Sequence, residues 1–480
     1  MTARLTRPTP IVVALVTLVV LAGGLAVAAT RPTIADQALV GMVTLAAVAA
    51  ALVLPLVDPA LPITAGLVLS VFSGWWGQMG IPQGLDRPLL VYGIVAAGLT
   101  LLPDARRRQS LQMTTVHWLL VVVALYAIGS AVFAGTIVHR EPLFALSERL
   151  GIMGFLLFAV GPLVFSTPRS RDVLLFGLIG LGAYLSVTAL LEMSPLHGLV
   201  LPRYIDDPGI GIHYGRARGP FLEAGADGMA MYIALVAACI GFVRWPGRRA
   251  RRLCGAVIAL CGVGIVLTLT RQVWLGAAAG TVVAMAVTAS LRRFLVPAIA
   301  IVAIALFAAL TFVPSFRADV QSRANDQRSV WDRLNSDRAA IDMVDARPLL
   351  GWGWYRFADV SPRFLRQSAS YPLTTVPRPH NVFLANASEL GLVGTSLWLV
   401  ALLGAIGAAV LLRAPPELEP WRVGLIAVSV NWLVVANFTP LGYALPNHVL
   451  WLWPGVVWSG VIARRRRPVP APAGALPSPA

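Results

Sequence analysis

Apolar runs recur along this chain at roughly the 20 residues that an α-helix needs to cross the hydrocarbon core of a bilayer. They repeat from Pro10 to Val461 and leave one long polar stretch, Pro314 to Pro379. A helix in lipid satisfies its own backbone groups, so runs of this kind predict a bundle of spanning helices. Composition agrees: only 12% of residues are charged and 57% are hydrophobic, whereas about a quarter of residues are charged in soluble domains. A soluble enzyme on a single anchor is excluded.

The expected fold is therefore all-α and integral to the membrane, a polytopic bundle of about 14 transmembrane helices with one large, partly helical extracytoplasmic loop. The runs lie near 10–30, 36–57, 60–77, 88–103, 117–138, 150–166, 173–191, 222–243, 253–270, 272–290, 294–313, 390–412, 421–438 and 447–463. The chain reads as N-terminal helices over 1–221, a second membrane region over 222–465 that includes the loop 314–379, and a Pro/Ala-rich disordered tail over 466–480. The first run has a charged start and an Ala26-Val27-Ala28 stretch resembling a cleavage site, and we read it as a retained helix.

A net charge of +16 would suggest nucleic acid in a soluble chain. Here the arginines sit mostly in short clusters between apolar runs, at Arg4 and Arg7, 106–108, Arg169 and Arg171, 244–252, Arg292 and Arg293, and 464–467. Every cluster falls on one side of the expected bundle, which the positive-inside rule makes cytoplasmic. Both termini are then cytoplasmic, the segments Leu196 to Pro220 and Pro314 to Pro379 face outward, and no nucleic-acid partner is expected. All 38 basic residues are arginine, a sign of GC-rich coding.

Little in the sequence suggests a metal or another cofactor, and none is expected. Cys239, Cys254 and Cys261 lie inside apolar runs without metal-ligand spacing and read as packing residues. The outer segments hold no Asp-x-Asp pair, and Glu417-Leu418-Glu419 falls on the cytoplasmic side. Gly276 and Gly280 form a small-xxx-small face for close helix packing.

The polar residues at the outer mouth attract more attention. His380-Asn381 opens a stretch running to Gly394, where the long loop re-enters the membrane. Imidazole is at home at the headgroup level, so a His there serves packing as readily as chemistry. Arg271 sits between two apolar runs with only a tight turn available, either snorkelling to the surface or held for a polar partner. The alternation of Arg and Asp through Arg333 and Arg338 reads as a solvated helix laced with ion pairs. Trp352, Trp354, Tyr355 and Phe357 follow in a Gly-containing turn, suited to stacking on sugar rings or to a membrane interface.

The pattern His380-Asn381, Leu384, Glu389, Gly391 and Gly394 resembles the signature of the bacterial O-antigen ligase and O-antigen polymerase family. Thr268-Leu269-Thr270-Arg271 with Trp274-Leu275-Gly276 looks like the family's Arg at the mouth of a mid-chain helix. Arg328-Ser329-Val330-Trp331 followed by Pro348-Leu349-Leu350-Gly351-Trp352-Gly353 looks like the start of its large outer loop, and Arg218-Gly219-Pro220-Phe221 is a weaker match. The resemblance spans roughly Arg218 to Thr395.

That resemblance implies an inverting membrane glycosyltransferase of bacterial cell-envelope polysaccharide biosynthesis, working at the outer face of the cytoplasmic (inner) membrane. Its donor would be an oligosaccharide on a polyprenyl diphosphate of the undecaprenyl type, and its acceptor a glycan, lipid or protein. Fixed guanidinium groups, Arg271 and Arg328, would meet the negative charge gained by the leaving diphosphate, so a metal-independent mechanism is expected. His380, with an unperturbed pKa of about 6.5, would take the acceptor's proton, and Glu389 is the rival base. Nine steps of about 100° on one continuous helix place His380 and Glu389 on opposite faces, so they do not share one task. Glu389 then orients a neighbour or fixes a packing contact with Gly391 and Gly394. Arg218, Asn381 and Trp352 complete the expected substrate contacts.

The motifs do not separate a ligase, which discharges onto a different acceptor, from a polymerase, which extends a like chain. The rival of another class is a transporter or lipid-linked sugar flippase, which would place broken helices and charges near the bilayer midplane and often shows two related halves.

Overall fold

The computed structural model of the chain describes residues 58–81, 84–99, 113–312, 327–366, 379–411 and 415–465, with 317, 318 and 321. All regular structure among the described residues is helical: α1 Ala60–Leu69, α2 Asp86–Leu99, α3 Thr115–Phe133, α4 Arg140–Ala145, α5 Ile152–Val164, α6 Pro168–Glu192, α7 Ala224–Arg244, α8 Arg248–Leu267, α9 Arg271–Val287, α10 Leu295–Phe312, α11 Gln327–Ala346, α12 Phe357–Val360, α13 Val382–Leu411, α14 Glu419–Ala436 and α15 Ala444–Arg465. The all-α membrane fold expected from the apolar runs is the fold observed.

Six of these helices are long and apolar enough to cross a membrane: α3, α6, α7, α8, α13, and α14 with its lead-in from Pro416. A seventh crossing results if Arg140–Leu150 and Ile152–Val164, which meet at 41°, form one bent span. About fourteen were expected. The expected spans at 10–30 and 36–57, like the tail 466–480, lie outside the described residues. Two others are short apolar helices, Ala60–Phe72 and Arg271–Val287. A hydropathy window registers the apolar character of a helix without registering where the helix stops. Of the expected outer loop, the described residues include α11 and α12.

The helices pack in a continuous series. α3 lies on α13, α13 on α14 and α15, and α15 along α5; α14 meets α9 and α7, and α7 continues the bundle through α8, α6 and α1. Small residues set the closest of these contacts. A side chain at Gly276 would meet Asn431 Oδ1 at 2.5 Å, and one at Gly280 would collide with the Ala427 carbonyl. This small-xxx-small face therefore lets α9 pack directly on α14, in antiparallel register.

Among the described residues two helices are broken inside the bundle, each at a glycine with positive φ. Gly151 (φ 103°) separates the π-helical turn Leu146–Leu150 from α5, and Gly391 (φ 70°) interrupts α13. A break frees backbone carbonyls that lipid cannot satisfy, so protein donors must take them. Around Gly151 the indole of Trp398 donates to Leu150 O at 3.1 Å and the Asn447 amide donates to Glu148 O at 3.0 Å. Tyr126 donates its hydroxyl proton to Leu390 O, beside Gly391, at 2.8 Å.

Candidate active site

The break at Gly391 is where the segment ahead of α12 docks. Pro348 to Gly353 lies against it in a short ladder: Trp352 N–H donates to Ser388 O at 3.0 Å and Gly353 N–H to Glu389 O at 2.9 Å. In return Leu392 N–H reaches Pro348 O at 2.8 Å and Val393 N–H reaches Leu349 O at 3.3 Å. The approach is too close for a side chain on either segment. A Cβ at Gly351 would lie 2.5 Å from Glu389 O, and one at Gly391 would collide with Leu349 O. The two glycine-containing motifs, far apart in sequence, are thus two halves of one joint.

Beside this joint the two broken helices face each other through a buried ion pair. Arg149, in the last turn before Gly151, donates through Nη2 to Glu389 Oε2, and the side chains are 10% and 2% exposed. The other carboxylate oxygen accepts Phe357 N–H at 3.3 Å. The Arg149 guanidinium lies 4.3 Å from the centroid of the Trp354 ring, and Trp354 is held by hydrogen bonds to Pro142 O and Ser130 Oγ, each at 3.0 Å. Glu389 is therefore closed in by protein donors on both oxygens, and the geometry makes it a fastening point for the loop. Taking one member from a buried pair leaves an uncompensated charge, typically at a cost of about 3–5 kcal/mol.

The mouth is built differently. Asn381 is the N-cap of α13, its Oδ1 accepting Phe383 N–H at 2.9 Å and Leu384 N–H at 3.1 Å. Its amide nitrogen donates to Asn437 Oδ1, at the end of α14, at 3.2 Å. His380, half-buried, is thereby held next to that end of α14. The antiparallel register of α9 on α14, with Gly280 at Ala427 and Gly276 at Asn431, brings the first residue of α9, Arg271, level with the same end, Ala436 and Asn437. Arg271 is exposed there, following the turn in which Leu269 adopts positive φ (48°), and its guanidinium has no side-chain partner among the described residues.

Glu223, the N-cap of α7, lies at the mouth as well. Its carboxylate accepts Ala226 N–H at 2.5 Å, and His213 Nδ1 is 3.5 Å from Oε1. Burial pushes the Glu223 carboxyl above the usual carboxylate range, opposed by the Ala226 and Gly225 N–H groups, the Tyr443 hydroxyl and the Arg333 guanidinium. The charge of Arg333, on α11, is thus felt at Glu223.

The remaining expected site residues fall in distinct settings. Arg328 is exposed near the start of α11. Arg218 is 1% exposed, and its guanidinium donates to the carbonyls of Ile210 (2.8 Å), Ile205 (2.9 Å) and Asp207 (2.6 Å). Burial lowers its pKa, and the neighbouring Glu192 raises it again. Its donors brace the segment between α6 and α7. Trp352 donates its indole N–H to Met343 O at 2.9 Å, with Arg347 stacked 4.2 Å from its ring centroid, so the ring is engaged within the loop. His380, Asn381 and Arg271 therefore share one end of the bundle, whereas Glu389 and Trp352 belong to the joint below it.

α11 departs from the solvated helix expected of it. It does carry an Arg338–Asp342 pair at 3.0 Å, but Asn335, Ser336, Ala339, Ala340 and Met343 are buried, and Ala340 and Met343 pack with Phe357 and Val360. Sequence reasoning also passed over Arg149 and Glu223. Neither lies in a recognised motif, though Arg149-Leu150-Gly151 and Glu389-Leu390-Gly391 share a charged-Leu-Gly pattern that was a usable signal for the pair. Among the described residues no group of three or more His, Cys, Asp or Glu side chains is arranged to hold a metal ion.

No curated protein matches the chain in sequence. A family model described as O-antigen ligase matches residues 254–399, which run from α8 through the mouth, the joint and the first half of α13 and amount to less than a third of the chain. Over that stretch the chain is similar to O-antigen ligases.

Proposed function

We propose that this protein is an inverting, metal-independent glycosyltransferase of the bacterial cytoplasmic membrane. It would move an oligosaccharide from a polyprenyl diphosphate to a surface acceptor or glycan at the outer face, with both chain termini cytoplasmic. The observation that carries the reading is the sharing of one end of α14 by His380 and Arg271, through the Asn381–Asn437 hydrogen bond and the α9–α14 register.

In this reading His380 accepts the proton of the acceptor hydroxyl. The acceptor oxygen forms a bond to the anomeric carbon from the side opposite the diphosphate. The carbon–oxygen bond to the phosphate breaks, and its electron pair leaves on the diphosphate oxygen. Arg271 and Arg328 meet that charge, guanidinium being permanently protonated and able to grip phosphate oxygens in pairs. Asn381 fixes the backbone on which His380 stands.

One observation favours the transport reading as a second possibility, because two helices are broken inside the bundle and an ion pair lies between the breaks. The carbonyls named at those breaks are nevertheless taken by protein donors, which supports a rigid joint over an ion or solute site.

The test is incubation of purified protein in liposomes with a polyprenyl-diphosphate oligosaccharide and an acceptor, in the presence of a chelator. Release of lipid diphosphate with transfer to the acceptor supports a ligase, and a ladder of lengthened donor chains supports a polymerase. Movement of the lipid-linked sugar across the bilayer without release of diphosphate would overturn the proposal in favour of a flippase.

A further inference from the structure

The first segment of α13 is short, running from Val382 to the break at Gly391, and it carries His380 just ahead of its N-cap. A helix interrupted by a glycine has no continuous hydrogen-bond ladder to set the angle between its halves, so that angle must be imposed from outside. Two contacts impose it here. One is the backbone ladder from Pro348 to Gly353; the other is the carboxylate of Glu389, held by Arg149 and by Phe357 N–H. Arg149 belongs to neither of the segments these contacts join. It comes from the bent pair α4–α5, outside the family match at 254–399, and its partner is 240 residues away in sequence.

We infer that Arg149 is a positioning residue, setting the segment that carries His380 by anchoring Glu389 at the foot of that segment. The guanidinium is held there because it lies over the ring of Trp354, 4.3 Å from the centroid, and that ring is itself fastened to Pro142 and Ser130. A lysine retains the charge without the planar fork or the stacking surface, so it holds Glu389 less firmly. Among the described residues Arg149 lies against Glu389, Trp354 and Tyr355, in the joint and not at the mouth, so it acts on the reaction through the placement of His380. To that extent the inference rests on the proposed function.

The experiment combines kinetics with a distance that does not depend on activity. Wild type, Arg149→Lys and Arg149→Ala are compared in liposomes for kcat and for the KM of a polyprenyl-diphosphate oligosaccharide, per folded molecule. Spin labels at Leu384 and Leu433 report the separation of the first segment of α13 from the end of α14. Arg149→Ala is expected to lower kcat at least tenfold with donor KM unchanged within about twofold, and to broaden the distance distribution. Arg149→Lys, which keeps the charge if Ala does not fold, is expected to fall between. A broadened distribution in a protein without transferase activity would support the positioning role and remove the proposed reaction. A folded variant with wild-type kcat and an unbroadened distribution would overturn the inference.

Discussion

The two ends of one short helical segment, Val382 to Leu390, are built on opposite principles. At its foot, around Gly391, each backbone group named above has a protein partner, the Glu389 carboxylate is closed in, and glycines permit segment-to-segment contact. At its head, around His380, a cap fixes the backbone while Arg271 projects without a side-chain partner among the described residues. Buried charge that is fully paired serves shape. Charge that is held in place but left open is available to a ligand. In the proposed reading a reaction at the head depends on a foot that does not react.

The largest effect should come from breaking the foot. Gly391→Ala forces a side chain into the positive-φ, extended-ψ conformation of Gly391, a region that is essentially glycine-only, and against Leu349 O. A loss of about 4 kcal/mol or more is expected, read as failure to recover monodisperse protein in detergent or as a steep fall in melting temperature. At the head, His380→Ala should lower turnover by about a hundredfold or more and leave the melting temperature within about 2 °C of wild type. If instead it unfolds the protein, the head is a second structural joint and the contrast fails.

A smaller effect sharpens the comparison at Arg271. Arg271→Ala should reduce kcat by about tenfold or more, and Arg271→Lys should retain part of the activity, since an ammonium keeps the charge but cannot grip two oxygens at once. Stability should be untouched in both, because an exposed arginine at a helix start contributes little. Equal activity in all three proteins would return Arg271 to a snorkelling role.

The smallest effect concerns Glu223. Its carboxyl is pushed up by burial, so the folded protein keeps that proton to higher pH than the unfolded chain does. The group's contribution to stability is then greatest at acid pH and declines as pH rises through and above the ordinary carboxylate range. Glu223→Gln removes the decline. Its melting temperature should gain on wild type by about 2–4 °C between mildly acidic and neutral pH. A melting-temperature difference that does not change with pH would contradict this.

What the sequence disclosed followed from the range of the interactions. Apolar runs of helical length located most of the described helices, and Gly276 with Gly280 announced the α9–α14 contact, because each is a local pattern. The break in α13 was not legible: Gly391 looks like a packing glycine until the 348–353 turn is laid against it. The opposite-face argument for His380 and Glu389 assumed one continuous helix, whereas His380 precedes the cap of the segment on which Glu389 sits. The Arg149–Glu389 pair left only a faint trace, a shared charged-Leu-Gly pattern, because its partners are 240 residues apart. In α11 the Arg and Asp alternation masked the buried Ala339, Ala340 and Met343.

The most direct measurement sets the head against the foot in one assay: release of lipid diphosphate per folded molecule, with melting temperature, for wild type, His380→Ala and Glu389→Gln in liposomes. Reaction at the head and support at the foot predict that His380→Ala loses activity at unchanged melting temperature. Glu389→Gln should lose stability, because Arg149 is left buried with a weakened partner, while its folded fraction keeps more turnover than His380→Ala. Full activity in His380→Ala, with loss confined to Glu389→Gln at unchanged stability, would place the chemistry at the foot and contradict the account.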